Sequence, residues 1–227
     1  MVRGSNRAGK LRRTLAERGM DTSIIDEGKI EVVNFSMQDP LLGLDLEKYA
    51  ELANMVTVVV QNAWKMDFNL GVEEFEGDCL RNTMSLLRLT QAGRPKRFVF
   101  TSSISACMGP GQTSPTVFEE PIGNDPTVAL STGYAQIERI TQTATRILNL
   151  PVHLLRVGQM AGSTTTGHWN VNEMWPIMFA TALHPSITSI PSFPSKLVDW
   201  IPFFENMAGE EEMHKTFDSR KTQEISV

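Results

Sequence analysis

Cysteine, histidine and tyrosine are scarce in this chain, with 2, 4 and 2 copies in 227 residues. Two cysteines, Cys79 and Cys107, are too few for a disulfide framework or a metal site. Cys107, close to a serine cluster, reads as a buried, inert thiol. No apolar run approaches the roughly 18 residues of a membrane span. The basic start MVRGSNRAGKLRR lacks the apolar core of a secretory signal. The expected address is therefore cytoplasmic, with no membrane partner. The net charge of −5 argues against general nucleic-acid binding. The charge is uneven, however. Arg3, Arg7, Lys10, Arg12, Arg13 and Arg18 face only Glu17 in the opening stretch, whereas Glu205, Glu210, Glu211 and Glu212 crowd the end. A basic opening suits either a bound phosphate or a solvated helix face. Also absent is a GxGxxG turn, the loop whose backbone amides cradle a pyrophosphate at a helix N-terminus. The single GxG, Gly109-Pro110-Gly111, lies in a proline-interrupted loop and does not serve that purpose.

The sharpest chemical signal is Arg97–Ala106, RFVFTSSISA, read with Gly133-Tyr134 further on. Phe98, Val99 and Phe100 form a short unbroken apolar run, the pattern of a strand buried on both faces of a parallel sheet. The run stops at Thr101-Ser102-Ser103, placing hydroxyls at the strand's carboxyl end, where open α/β sheets bind ligands. A serine there and a tyrosine on the following helix are placed to meet one substrate carbonyl. The alternative is that the serines only satisfy a turn.

In chain order, Lys10–Arg18 reads as a short helix stopped by Gly19, and Ile30–Phe35 as a strand. Asp45 caps a helix running to about Ala53. Val56–Val60 is a second buried-strand run. Glu73–Ala92 is a long amphipathic helix closed by Gly93. After the central strand and a Pro/Gly/Thr loop come a helix at Tyr134–Leu148, a strand at Val152–Val157 and a helix near Asn172–Leu183. This alternation predicts an α/β fold with a Rossmann-like, doubly wound parallel sheet. The chain is expected to start at that fold's second strand, without the first strand and the Gly-rich turn. The expected organisation is an incomplete NAD(P)-binding unit over 1–157, a partial C-terminal substrate lobe over 158–202 and a polar tail over 203–227.

With these residues assembled, the chain resembles the terminal thioester reductase domains of fungal nonribosomal-peptide-synthetase-like and adenylate-forming enzymes. These are relatives of carboxylic acid reductases in the extended short-chain dehydrogenase family. The matching runs are Val2-Arg3-Gly4, Asp39–Leu44, Gln61–Gly71 (QNAWKMDFNLG), Phe98–Ser105, Gly133–Gln136, Arg156–Gln159, Gly167–Asn170 and Val198–Pro202 (VDWIP). The resemblance implies NADPH-dependent reduction of a phosphopantetheinyl carrier-bound acyl thioester to an aldehyde. It gives Arg3, assisted by Arg12 or Arg13, to the ribose 2′-phosphate, which favours NADP over NAD. It gives Ala63, Gly158 and Gln159 to the cofactor, Ser103 to the substrate carbonyl and Tyr134 to proton donation.

The chain departs from that family where it continues the tyrosine into YxxxK, since the fourth residue after Tyr134 is Glu138. A carboxylate one helical turn away raises the tyrosine pKa, the reverse of the lysine's effect. Without the Gly-rich turn, one charge-assisted phosphate contact of roughly 1.5–3 kcal/mol falls short of the roughly 8 kcal/mol of micromolar binding. The expected consequence is weak NADPH binding and impaired turnover. A non-catalytic remnant or carrier-protein docking module is the alternative.

Overall fold

The computed structural model describes residues 7–36, 39–120, 123–149, 151–182 and 216–217. Arg3, the VDWIP run and most of the predicted polar tail lie outside the described residues. Helices α1 (Arg7–Glu17), α2 (Ser23–Asp26) and α3 (Leu46–Met55) precede strand β1 (Val58–Gln61). Next come α4 (Glu73–Phe75), a π-helical turn at Glu76–Leu80, α5 (Arg81–Gln91) and β2 (Arg97–Ser103). A 3-10 turn at Ile104–Cys107, the short β3 (Thr116–Val117), a second 3-10 turn at Pro126–Val128, α6 (Gly133–Ile147), β4 (Val152–Val157) and α7 (Met174–Ala182) follow. The pair Thr216–Phe217 forms β5, which lies parallel to β3 inside the stretch read from sequence as a polar tail.

The central sheet is parallel in the order β1-β2-β4, as the alternation of strands and helices predicts. Val59 pairs with Phe98 and Phe98 with Val152; Gln61 pairs with Phe100 and Phe100 with Leu154. Paired residues of a parallel sheet point to the same side, so these rows form one face, which packs on Leu86, Leu87 and Leu89 of α5 and on Leu42 and Ala53. Phe98 and Phe100 are fully buried there, worth about 1.5–3 kcal/mol each in apolar area removed from water.

The other face is open. Val58, Val60 and Leu155 are 47%, 59% and 47% exposed, which corrects the expectation of strands buried on both faces. The continuous apolar runs fit a sheet covered on both sides, but among the described residues only one side is covered. The Ile30–Phe35 strand is also corrected: this segment carries no strand. A strand exists only by exchanging backbone hydrogen bonds with a neighbour. β1 pairs with β2 on one side and with no described strand on the other. The segment is held instead by a Lys48–Glu31 ion pair at 2.8 Å and, at its end, by the Ser36 amide donating to the Leu42 carbonyl at 2.8 Å.

Local chemistry sets the element ends. Asp45 caps α3 by accepting from the Lys48 amide at 2.7 Å, and Val56 donates its amide to the Leu52 carbonyl, so the strand starts later than the valine run. Lys96 is buried, and its ammonium takes the carbonyls of Ala53, at 2.6 Å, and of Ala92, at the carboxyl ends of α3 and α5. Those ends carry partial negative charge. The predicted helix over Glu73–Ala92 is one continuous rod with a π turn inserted at Glu76–Leu80. Such bulges are rare and cluster at functional sites.

Candidate functional site

Because β1, β2 and β4 are parallel and adjacent, their carboxyl ends share one edge, and Ser103, the last residue of β2, pairs with Val157, the last of β4. The Ser103 side chain turns back to cap the following 3-10 turn, its Oγ 3.2 Å from the Ser105 amide. Helix α6 returns over this edge. Its first turn is capped by Thr132, and its start is pressed against the loop between β1 and α4 so closely that a Cβ at Gly133 would stand 2.3 Å from the Leu70 carbonyl oxygen. This contact aims Tyr134 at the end of β2.

Tyr134 is 5% exposed. Its ring packs against Phe68, centroids 4.8 Å apart, and edge-on to Phe75 at 6.4 Å. Its hydroxyl lies beside the Glu138 carboxyl and the Ser103 hydroxyl, both of which influence its titration. Ser103 and Tyr134, singled out from sequence as the pair that meets a carbonyl, are thus brought together. Glu138 is fully buried between them. Its Oε2 accepts from Ser103 Oγ at 2.6 Å and from the Ser103 amide at 3.2 Å. Ser105 Oγ reaches the same oxygen at 3.4 Å and is itself hydrogen-bonded to Ser103 Oγ. Glu138 Oε1 has no hydrogen-bond partner.

Burial pushes the Tyr134 hydroxyl well above its ordinary value, and the neighbouring Glu138 pushes it further. Burial likewise lifts the Glu138 carboxyl, more than the hydrogen bonds from Ser103 and the nearby Tyr134 hydroxyl lower it. The tyrosine upshift foreseen from Glu138 is present, with desolvation as the larger cause.

The other sequence candidates are distributed unevenly. Ala63 follows β1 and takes the Gln61 side-chain amide on its carbonyl at 2.9 Å. Gly158 and Gln159 follow β4, both exposed, with the Gln159 amide turned to the Met160 carbonyl. These three share the strand-end edge with Ser103. Arg12 is engaged by Asp26 of α2 through Nη1, at 3.0 Å, and Nη2. Arg13, next to it on α1, is exposed. Gly109 and Gly111, rejected from sequence as a phosphate turn, are glycines for close packing. A Cβ on Gly109 would meet the Ala129 carbonyl at 2.0 Å, and the two amides bond Val128 and Thr127.

Sequence reasoning missed Ser105 and Gln142. Gln142 lies one turn beyond Glu138 and donates to Ser102 Oγ at 3.0 Å. The signal was available in the i, i+4, i+8 spacing of Tyr134, Glu138 and Gln142, a polar stripe on an otherwise apolar or small face. A cleft of about 450 Å³ opens beside the tyrosine, between Phe68–Gly71 and Ser131–Gly133.

Known proteins resemble this chain in sequence and in fold. The adenylate-forming reductase Nps10 of Heterobasidion annosum is 31% identical over 194 residues, 83% of this chain and 17% of that protein. The non-reducing polyketide synthase tazA of Aspergillus terreus is 30% identical over 217 residues, 89% of this chain and 8% of that one. The terminal R domain from the myxalamid PKS-NRPS pathway superposes with a TM-score of 0.68 at 23% identity, over 79% of this chain and 46% of that one. The chain thus spans under a fifth of these curated relatives and under half of that R domain, and the superposition shows a shared fold. The family model described as male sterility protein, an NAD-binding domain, matches residues 1–204, and the chain belongs to that family.

Proposed function

We propose that the chain is a reductase module that delivers hydride from NADPH to the carbonyl carbon of a carrier-bound acyl thioester, releasing an aldehyde. The observation that carries this reading is the convergence of the Ser103 and Tyr134 hydroxyls at the carboxyl edge of a parallel sheet. The names of relatives, adenylate-forming reductase among them, support it.

The strand-end residues fit a flat cofactor ring. Ala63 and Gly158 carry little or no side chain at this edge, and a Cβ added to Gly158 would meet only Ile104 Cδ1, at 4.0 Å. When bound, the cofactor supplies the hydride. Ser103 and Tyr134 hold the carbonyl oxygen and stabilise the charge that grows on it, and Tyr134 Oη passes it a proton. Phe68 and Phe75 fix the tyrosine ring and keep water from it. NADP is preferred over NAD because guanidinium forks suit the 2′-phosphate. With Arg12 engaged by Asp26, Arg13 and Arg3 are the forks assigned to it. Residues 1–157 form the cofactor half, 158–202 the acyl or pantetheine lobe and 203–227 a polar tail, in a cytoplasmic protein.

Turnover is impaired relative to a site with a cation beside the tyrosine, since Glu138 makes the tyrosine proton harder to move. The same residue favours a second reading, a carrier-docking module without turnover. The test is NADPH oxidation by the purified chain with an acylated phosphopantetheinyl carrier. Slow oxidation that drops about 10²–10³-fold in Ser103→Ala or Tyr134→Phe supports the reductase. Carrier retention on a pull-down with no oxidation supports docking.

A further inference from the structure

The function-bearing edge contains a group that hydride chemistry leaves unused, the buried carboxyl of Glu138. Its Oε2 is contacted by the Ser103 amide at 3.2 Å, Ser103 Oγ at 2.6 Å and Ser105 Oγ at 3.4 Å, with the Tyr134 hydroxyl nearby. The groups that face it are known on each packed element. β2 contributes the Ser102 and Ser103 hydroxyls, the π turn Cys79, the 3-10 turn Cys107 and α6 Tyr134. From β4, Arg156 is turned to the carbonyls of Phe118 and Glu120. No ion pair among the described residues includes Glu138.

A serine hydroxyl has one proton and two lone pairs, and a carboxylate only accepts. While Glu138 is ionised, the Ser103 proton therefore points inward along the 2.6 Å contact, and the serine shows lone pairs to the strand edge. When Oε2 carries a proton it donates to Ser103 Oγ, and the serine proton swings outward, past Ser105, to the edge where a carbonyl oxygen needs a donor. Only hydrogens move. The proton exchanged belongs to solvent, and no covalent step is involved.

We propose that Glu138 is a positioning residue whose proton decides whether Ser103 offers a donor or an acceptor to a substrate carbonyl, the neutral acid being the competent form. This rests on the reading of Ser103 as a carbonyl donor. It makes a residue that breaks the family's lysine pattern into a pH-dependent selector of thioester binding.

Two measurements decide it, neither requiring turnover. The first follows the Glu138 side-chain carboxyl by carbon-13 NMR through a pH titration of the whole chain, its signal identified by loss in Glu138→Gln. The proposal expects a midpoint above the ordinary glutamate value that moves higher in Ser103→Ala, where a hydrogen bond to the ionised form is lost. An ordinary midpoint, indifferent to Ser103→Ala, overturns it.

The second measures calorimetric binding of S-octanoyl-N-acetylcysteamine on either side of that midpoint. Expected is about tenfold weaker binding above it, one hydrogen bond's worth. In Glu138→Gln, whose side chain does not titrate, affinity is the same on either side of that midpoint. Equal affinity across the midpoint, or no binding at either pH, overturns the proposal, as does a Glu138→Gln variant that keeps the pH dependence. NADPH oxidation is scored separately. A binding switch without oxidation upholds the role of Glu138 and fails the reductase reading alone.

Discussion

Ser103 Oγ donates to Glu138 Oε2 across 2.6 Å, joining the end of β2 to the second turn of α6. Gln142 repeats the link one turn later, to Ser102 at 3.0 Å, and Tyr134 precedes it by one turn. Helix α6 is thus fastened to the sheet edge by polar atoms as well as by the packing of Ile137 against Phe75 and Cys79. A buried carboxyl held mainly by hydroxyls has consequences for stability.

The Glu138 carboxyl titrates above its ordinary 4.5 in the folded chain, chiefly through burial. Between those two values the folded state holds a proton that the unfolded state has released, so stability falls as pH rises through that window. Below it both states are protonated and the penalty vanishes. Glu138→Gln removes the titration. Its melting temperature is expected to gain on the wild type near about pH 8 and to lose that gain toward about pH 4, read by calorimetry over a pH series. A gap that widens on acidification contradicts this.

Gly133→Ala puts a methyl 2.3 Å from the Leu70 carbonyl oxygen and 2.6 Å from the Gly71 carbonyl carbon, both backbone atoms. The loop or the start of α6 must move. A loss of about 1–3 kcal/mol is expected in chemical denaturation, together with a changed Phe68–Tyr134 contact visible in the aromatic NMR region.

Two substitutions calibrate the scaffold. Asp45→Ala removes the cap on the Lys48 amide and is expected to cost about 1 kcal/mol. Phe98→Ala empties a fully buried position in the cluster shared by β1, β2 and α5, with an expected cost of about 3–5 kcal/mol. Urea midpoints for both, at unchanged m-values, test the ranking. A Phe98→Ala effect smaller than that of Asp45→Ala would place the core elsewhere.

Both cysteines are inaccessible. Cys107 is fully buried, its thiol pushed up to about 11 by desolvation, and Cys79 is shifted in the same direction. Since the thiolate is the reactive form, a disulfide-exchange reagent is expected to leave both untouched in the native chain and to modify both after unfolding. Rapid native labelling of either would show an opening of the 3-10 turn or of the π turn.

Much of this was determined by the sequence alone. The apolar run Phe98–Phe100 ending in hydroxyls, the cap at Asp45 and the strand at Val152–Val157 are local patterns, and a strand or cap needs only its own residues and a partner to be recognised. The pairing of Ser103 with Tyr134 was legible for the same reason, since a strand end and the next helix start share one edge in a parallel α/β unit. Tertiary structure decided what depends on neighbours distant in the chain. Ile30–Phe35 has strand composition but no strand, because β1 offers it no pairing. Val58 and Val60 look buried in sequence and are exposed, because burial of a sheet face is set by what packs over it. Arg12 reads as a phosphate ligand until Asp26, on another helix, engages it. Glu138 stood out in sequence as a misplaced charge. Only the fold shows its carboxyl held by hydroxyl and amide donors, since hydrogen bonding and desolvation belong to the assembled site and not to the residue.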